Sequence, residues 1–282
     1  MQDFKGKTAL VTGGGSGIGR GLAEALGAEG ARVVIGDIIL DNARAVAKRI
    51  NDNGGEAVAL HCDVCDREAI ARMKEEANKA FGTVSLLFAN AGATSFERLV
   101  DMTPASVDWI CQVNLMGVLN SISAFLPDMI AAGEGHVVAT ASAAGLNPAW
   151  IPYHAPYSGA KMGIIGTVLN LRHEMAEEGV GATVLVPYGV ETGMRENNES
   201  YRPAQFGGPR KEEVVIPEGS FRNIKLSFRQ PEEVAQMVLR AVRRNSPIVL
   251  TDAAQRQVFQ ETYVDLVMKA FDEAEAFDRE QG

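Results

Sequence analysis

The sequence predicts a single α/β domain: a doubly wound parallel sheet with helices on both faces. Two observations predict it. Short, continuously apolar runs alternate with longer helical patterns, and strands covered on both faces read as unbroken apolar runs. The first of these runs opens into a glycine-rich turn, Thr12-Gly13-Gly14-Gly15-Ser16-Gly17-Ile18-Gly19. Such a strand-to-helix turn lets backbone come close to a ligand.

Each element follows in order. Thr8–Thr12 reads as a buried strand, and Gly17–Glu29 as a helix whose small residues face it. Arg32–Asp37 is a second strand and Asp41–Asp52 a second helix. Ala57–His61, Leu86–Ala89, Val137–Ala141 and Thr183–Val186 continue the strands. Arg67–Phe81, Pro104–Ala132 and Ala155–Glu178 fill the gaps as helices. The pattern breaks down over 190–229, a polar stretch with Pro203, Gly207-Gly208-Pro209 and Pro217. A stretch this long without structure of its own reads as a functional lid or as an insertion. Regularity returns with helix Pro231–Arg244 and strand Pro247–Leu250. An acidic amphipathic helix over 253–279 closes the chain, so 1–282 is expected to form one domain.

Composition narrows the function classes. The chain has 282 residues, 46% of them apolar and 22% charged, enough for a sizeable core. Lys and Arg number 27 against 36 Asp and Glu, a net charge of -9. That balance argues against a nucleic-acid surface, which needs a basic patch. No run reads as the roughly 18 apolar residues of a membrane span, and Met1–Lys7 carries no apolar secretory segment. Three cysteines fit a reducing compartment, so a cytoplasmic protein is expected. His61-Cys62-Asp63-Val64-Cys65 contains a Cys-x-x-Cys. With only Cys111 besides, it falls short of a four-ligand metal site, and no metal is expected.

The glycine turn ends at a helix N-terminus, whose free N–H groups and partial positive charge suit a pyrophosphate. Asp37 ends the second strand. A carboxylate there bonds ribose hydroxyls and repels a 2′-phosphate. Tyr157 and Lys161 lie four apart on a helix and project from one face. A free phenol titrates near 10, and a neighbouring ammonium favours its phenolate.

The spacing Thr-Gly-x-x-x-Gly-x-Gly, followed by Asn90-Ala91-Gly92, Asn114, Ser142 and Tyr157-Ser158-Gly159-Ala160-Lys161, resembles the short-chain dehydrogenase/reductase family. The resemblance covers roughly residues 5 to 195, and it implies a Rossmann-type fold. It implies that Gly13, Ser16, Gly17, Ile18 and Gly19 hold a dinucleotide. It also implies that Asp63 bonds the adenine amino group, with Val64 lining that pocket, and that Asn90-Ala91-Gly92 passes beside the cofactor. Pro187, Val190 and Thr192 fall beside the nicotinamide. Tyr157 is then the general acid/base, Lys161 bonds the nicotinamide ribose, Ser142 holds the substrate oxygen and Asn114 positions a relay water.

Family members that use NADP carry a basic residue near Asp37 or before the second motif glycine. Here Ser16 and Ile38 stand there, so NAD is expected. The implied reaction interconverts a secondary alcohol and its ketone. A ketone or acyl-carrier reductase, and a non-catalytic NAD sensor on the same fold, are the rival readings.

Two departures mark the substrate side. Tyr188 replaces the glycine expected after Pro187, which places an aromatic ring near the nicotinamide. The stretch between Ser142 and Tyr157 is longer than usual and contains Trp150, Tyr153 and His154. Trp150 and Tyr153 either wall the substrate or pack on the core; His154 is a weaker candidate base. Among the lid charges Arg195, Glu196, Glu199, Arg202, Arg210, Lys211, Glu212 and Glu213, three arginines can meet an anion, but acids neighbour them. Bulky, largely apolar substrates are expected. So is a homodimer through 104–132 and 155–178, or a homotetramer.

Overall fold

The computed structural model describes residues 3–149, 151–194, 200–210 and 227–281. Seven parallel strands form one sheet: β1 (Thr8–Thr12), β2 (Arg32–Asp37), β3 (Glu56–His61), β4 (Leu86–Ala89), β5 (Gly135–Thr140), β6 (Val180–Val186) and β7 (Ile248–Leu250). Their order is β3-β2-β1-β4-β5-β6-β7. The chain reverses direction of build between β1 and β4. A crevice opens at the carboxyl ends of the strands at such a switch point.

Helices α1 (Gly17–Ala28) and α2 (Leu40–Asp52) cover one face of the sheet, together with α7 (Pro231–Arg243). Leu22, Leu26, Val46, Ile50, Val234 and Val238 pack there against Val11, Val33 and Ile35. The opposite face is covered by α3 (Arg67–Phe81), α4 (Pro104–Ala132) and α6 (Ala155–Glu174). A short helix, α5 (Ala143–Leu146), follows β5. Caps start several of these helices where the sequence provides them. Asp66 accepts the Glu68 N–H at α3, Thr103 accepts the Ser106 N–H ahead of Pro104 at α4, and Gln230 and Glu233 form a capping box at α7.

Some boundaries differ from expectation. β5 begins at Gly135 and β6 at Val180, both earlier than the apolar runs suggest. Helix α6 stops at Glu174, ahead of Gly179 at φ +70°, which turns the chain into β6. The C-terminal helix starts at Arg256 and reaches Gln281, with a π turn at Gln260–Val264. This helix, α8, has no buried residue beyond Val264.

Helix α4 corrects the expectation about apolar runs. It is 29 residues long, and by length and composition it is apolar enough to cross a membrane. In this fold it lies against the sheet with 39% of its most apolar window buried.

The segment 190–229 leaves and returns at one point. Val190 and Arg229 form a parallel bridge; the Glu191 N–H donates to Arg229 O at 3.0 Å, and the Arg229 N–H to Gly189 O at 3.0 Å. Ser227 bonds Asp252, and the Arg229 guanidinium donates to Thr251 O. The returning end is thus tied to the chain just after β7, and the leaving end is tied to it through the bridge. Of the charges named on this segment, Arg195, Glu196, Glu199, Lys211, Glu212 and Glu213 lie outside the described residues, as do Pro217 and Trp150.

Candidate active site

The carboxyl end of β1 is tied to its neighbours by polar side chains. Thr12 Oγ1 accepts the N–H groups of Asn90 (3.0 Å) and Ala91 (3.2 Å). Asn90 Nδ2 faces Thr12 O and Gly13 O at 3.3 and 3.4 Å, and its Oδ1 accepts from Thr140 Oγ1 at 3.0 Å. One amide therefore links β1, β4 and β5 at the switch point. Gly17 has φ +49°, a left-handed conformation open to glycine, and a Cβ there would meet Thr192 at 2.9 Å.

A single cleft runs over this edge of the sheet. Gly13, Ser16, Gly17, Ile18, Asp37, Asp63, Val64, Asn90, Ala91, Gly92, Pro187, Val190 and Thr192 line it, together with Ser142, Tyr157, Lys161 and Tyr188. Gly19 sits one turn into α1, buried against Gly13. Asp37 Oδ2 accepts the Gly15 N–H at 2.8 Å and Oδ1 the Ile39 N–H at 2.9 Å. Burial raises its carboxyl above the ordinary value, and these two N–H groups pull it back. Asp63 accepts the Cys65 N–H at 2.9 Å, closing a turn after β3. Cys62 and Cys65 are free thiols. Burial pushes Cys62 up to about 12 and raises Cys65 as well, so neither carries a reactive thiolate at neutral pH.

At the other end of the cleft, α6 presents Tyr157 and Lys161, both buried. Lys161 is 2% exposed; its Nζ donates to Thr140 O at 2.8 Å and sits 5.6 Å from the centre of the Tyr157 ring. Burial raises the Tyr157 phenol, and hydrogen bonding with Ser142 pulls it down. Burial likewise pushes Lys161 down to about 7.

The unfolded lysine titrates near 10.4. Between about 7 and that value the unfolded chain therefore holds one more proton than the folded one. Stability should accordingly rise with pH across this window. Lys161→Met should remove that rise, a difference on the order of 4 kcal/mol between its two ends. Urea denaturation of both proteins from pH 7 to 10 checks this; parallel curves would refute it.

Asn114 sits inside α4, fully buried, within a π turn at Gln112–Met116. Its Nδ2 donates to Ile110 O and Ala93 O, each at 2.8 Å, and its Oδ1 accepts the Ala93 N–H at 3.3 Å. In a regular helix Ile110 O would take the Asn114 backbone N–H. The side chain also donates to that carbonyl, and the ladder here widens by one residue.

The substrate side of the cleft is walled by Ala93, Trp109, Val113, Tyr188, Met194, Tyr201 and Pro203. Tyr188 lines it, its phenol 3.5 Å from Asn147 Nδ2 and its N–H on Thr251 Oγ1 at 2.9 Å. Tyr153 is not among the lining residues. Trp109 was not singled out in the sequence, where it reads as one more apolar position of a buried helix. Arg202 lies over its ring at 5.1 Å and donates to Ser106 Oγ at 3.1 Å. Arg210 approaches Glu97 at 3.6 Å. Neither arginine is among the residues that line the cleft.

The family profile of the short chain dehydrogenases matches residues 7–202. The chain belongs to the short-chain dehydrogenase/reductase family. It is 33% identical over 255 residues to the C alpha-dehydrogenase of a Sphingobium species, covering 89% of this chain and 82% of that one. A family member from Burkholderia phymatum, solved in complex with NAD, superposes with a TM-score of 0.83 at 27% identity over 95% of this chain and 97% of that one. A metagenomic short-chain oxidoreductase in complex with NADP superposes at 0.68, with 29% identity over 88% and 96%. The chain is therefore an oxidoreductase of this family, whose members use NAD or NADP. The family's motif residues and the apolar wall meet in one cleft, whereas Cys111 and the Cys-x-x-Cys lend it no further chemistry. Among the described residues no group of three or more His, Cys, Asp or Glu is placed to hold a metal.

Proposed function

We propose that this short-chain dehydrogenase/reductase transfers a hydride between NAD and a bulky, largely apolar secondary alcohol or its ketone. The observation that carries this reading is the continuity of the cleft. It joins the glycine turn and Asp37 to Ser142, Tyr157 and Lys161, and ends at an aromatic wall of Trp109, Tyr188 and Tyr201. The relative named as a C alpha-dehydrogenase supports oxidation of an alcohol carbon.

The residues present fit NAD. The charged residues lining the cleft are Asp37, Asp63 and Lys161. Among the described residues, Asp37 thus faces the ribose position with no lining cation beside it to receive a 2′-phosphate. Arg20 and Arg49 border a neighbouring groove, but they pair with Glu232 at 2.8 Å and Glu24 at 2.7 Å. Bound NAD supplies the hydride acceptor. Ser142 holds the substrate oxygen by a hydrogen bond. Tyr157, as phenolate, takes the hydroxyl proton in oxidation, and as phenol returns it in reduction. Lys161 holds the ribose, and its ammonium, which burial confines to pH below about 7, stabilises that phenolate. Asn114 fixes the backbone beside Ala93 and positions a relay water behind Lys161. The segment 190–229 acts as a lid that contributes Met194, Tyr201 and Pro203 to the wall and excludes water. The exposed faces of α4 and α6 pair two copies of the chain.

NADH formation at 340 nm across a panel of aromatic and aliphatic secondary alcohols, run in parallel with NAD and NADP, tests the reading. Turnover with NAD and preference for bulky apolar alcohols is expected. Confirmed NAD binding with no turnover in either direction would favour a sensor. Asp37→Asn keeps the side chain's shape and removes its charge. It should shift the ratio of kcat/KM for NADP over NAD upward by at least about tenfold, since one charge-assisted hydrogen bond counts for roughly 1.5–3 kcal/mol. An unchanged ratio would remove Asp37 from cofactor selection.

A further inference from the structure

His154 stands three residues before Tyr157, at the N-cap of α6, and is 3% exposed. Its backbone carbonyl accepts the Ser158 N–H at 2.8 Å, as an N-cap does. Its ring is engaged elsewhere. Nδ1 bonds Ser95 O, on the loop that follows Asn90-Ala91-Gly92. Because a carbonyl only accepts, Nδ1 carries the proton. The ring packs between two others: its centre lies 4.5 Å from that of Phe96 and 4.3 Å from that of Tyr157, tilted by 30° and 47°. Offset, tilted pairs at this separation are attractive. Burial lowers the His154 pKa to about 4, so the imidazole stays neutral at neutral pH and supplies no charge to the phenol.

The residue just before it carries local strain. Tyr153 has φ +62°, a left-handed conformation unusual for a residue with a side chain. Such outliers persist where the surroundings dictate them. Here the turn delivers His154 to the gap between Phe96 and Tyr157.

We infer that His154 is a positioning residue for Tyr157: its imidazole, tethered to Ser95, wedges the phenol ring into the orientation that faces Ser142 and Lys161. The inference rests on the reading of Tyr157 as general acid/base. A wedge explains why so polar a ring is buried there, and why α6 is joined to the loop after β4 at this point. The ionisable groups facing the Tyr157 ring are then Lys161, one turn along α6, and the neutral His154. Without the wedge the phenol can turn away from Ser142, and the hydrogen bond that lowers its pKa is lost.

The test compares wild type, Tyr157→Phe, His154→Ala, His154→Phe and His154→Asn for kcat, KM, NAD affinity and the pH profile of alcohol oxidation. His154→Ala should lower kcat by about tenfold to a hundredfold, the scale of a small misplacement of a reacting group. It should leave NAD affinity within about threefold and move the alkaline-side rise of the profile to higher pH by about one unit, since the lost bond favoured the phenolate. His154→Phe, which keeps a ring in the stack, should recover most of kcat; His154→Asn, which keeps a donor for Ser95, should not. Full activity and an unshifted profile in His154→Ala would overturn the inference. So would equal losses of kcat and NAD affinity, or rescue by Asn and not by Phe. Should Tyr157→Phe itself keep turnover, the reading of Tyr157 fails first, and with it this one.

Discussion

Tyr157→Phe is expected to lower kcat for alcohol oxidation by about a thousandfold, within the range general acid/base catalysis contributes. Phe fills the same volume, so fold and NAD affinity should survive, and the His154 ring keeps its partner. The wild-type rate should rise through the alkaline range as the phenolate forms, because burial raises the phenol above its ordinary value. The variant should show no such rise. Steady-state kinetics from pH 6 to 10, with NAD binding followed by calorimetry, decide the matter. A loss below tenfold would move the base elsewhere.

Gly19→Ala is expected to abolish cofactor binding. A Cβ at this position would lie 2.1 Å from Gly13 O and 2.7 Å from Asn90 Nδ2. Both belong to structure that cannot retreat: Gly13 opens the turn, and Asn90 is tied to β1 and to Thr140. The turn must shift where a pyrophosphate would lie. NAD affinity should fall by at least a hundredfold. Overpacking of this kind costs about 1–3 kcal/mol, which lowers Tm by several degrees, at roughly 2–4 °C per kcal/mol for a chain of this size. Gly166→Ala is the control. It lies in α6 with nothing within 4 Å of the added carbon, and alanine is the better helix former. It should bind NAD normally. Normal NAD binding by Gly19→Ala, measured by the same calorimetry, would refute the argument.

Much of this was legible in the residues because it depends on local chemistry. β1, β2 and β4 match their expected limits because each is a short, largely apolar run that stops at a polar or turn-forming residue, Gly13, Asp37 or Asn90. Tyr157, Lys161, Ser142 and Asp37 carry chemistry that stands out at fixed spacing, and all four line one cleft. Trp109 is different. Its position reads as core, and it is indeed 4% exposed. It lines the cleft together with Tyr201 and Pro203, which come from far along the chain. The π turn was equally hidden. Gln112–Met116 contains no proline or glycine to announce it. It coincides with a contact between the Asn114 side chain and Ala93, 21 residues away. Thr12 and Thr140 were missed as organisers for the same reason, since a threonine ending a strand looks ordinary until its hydroxyl has partners. His154 reads in the sequence as no more than a weaker candidate base beside Tyr157; the neighbours that hold its ring, Ser95 and Phe96, come from another loop.

The bridge between Val190 and Arg229 has a bearing on how such a protein changes over generations. The chain closes on itself at one paired point just outside the sheet. Whatever runs between those two residues is a closed excursion, and the seven strands are blind to its length. Doubling such an excursion adds only about 0.6 kcal/mol of closure entropy. Substrate preference can therefore drift by exchange of what lies beyond Thr192, while the glycine turn and Asp37 stay unaltered.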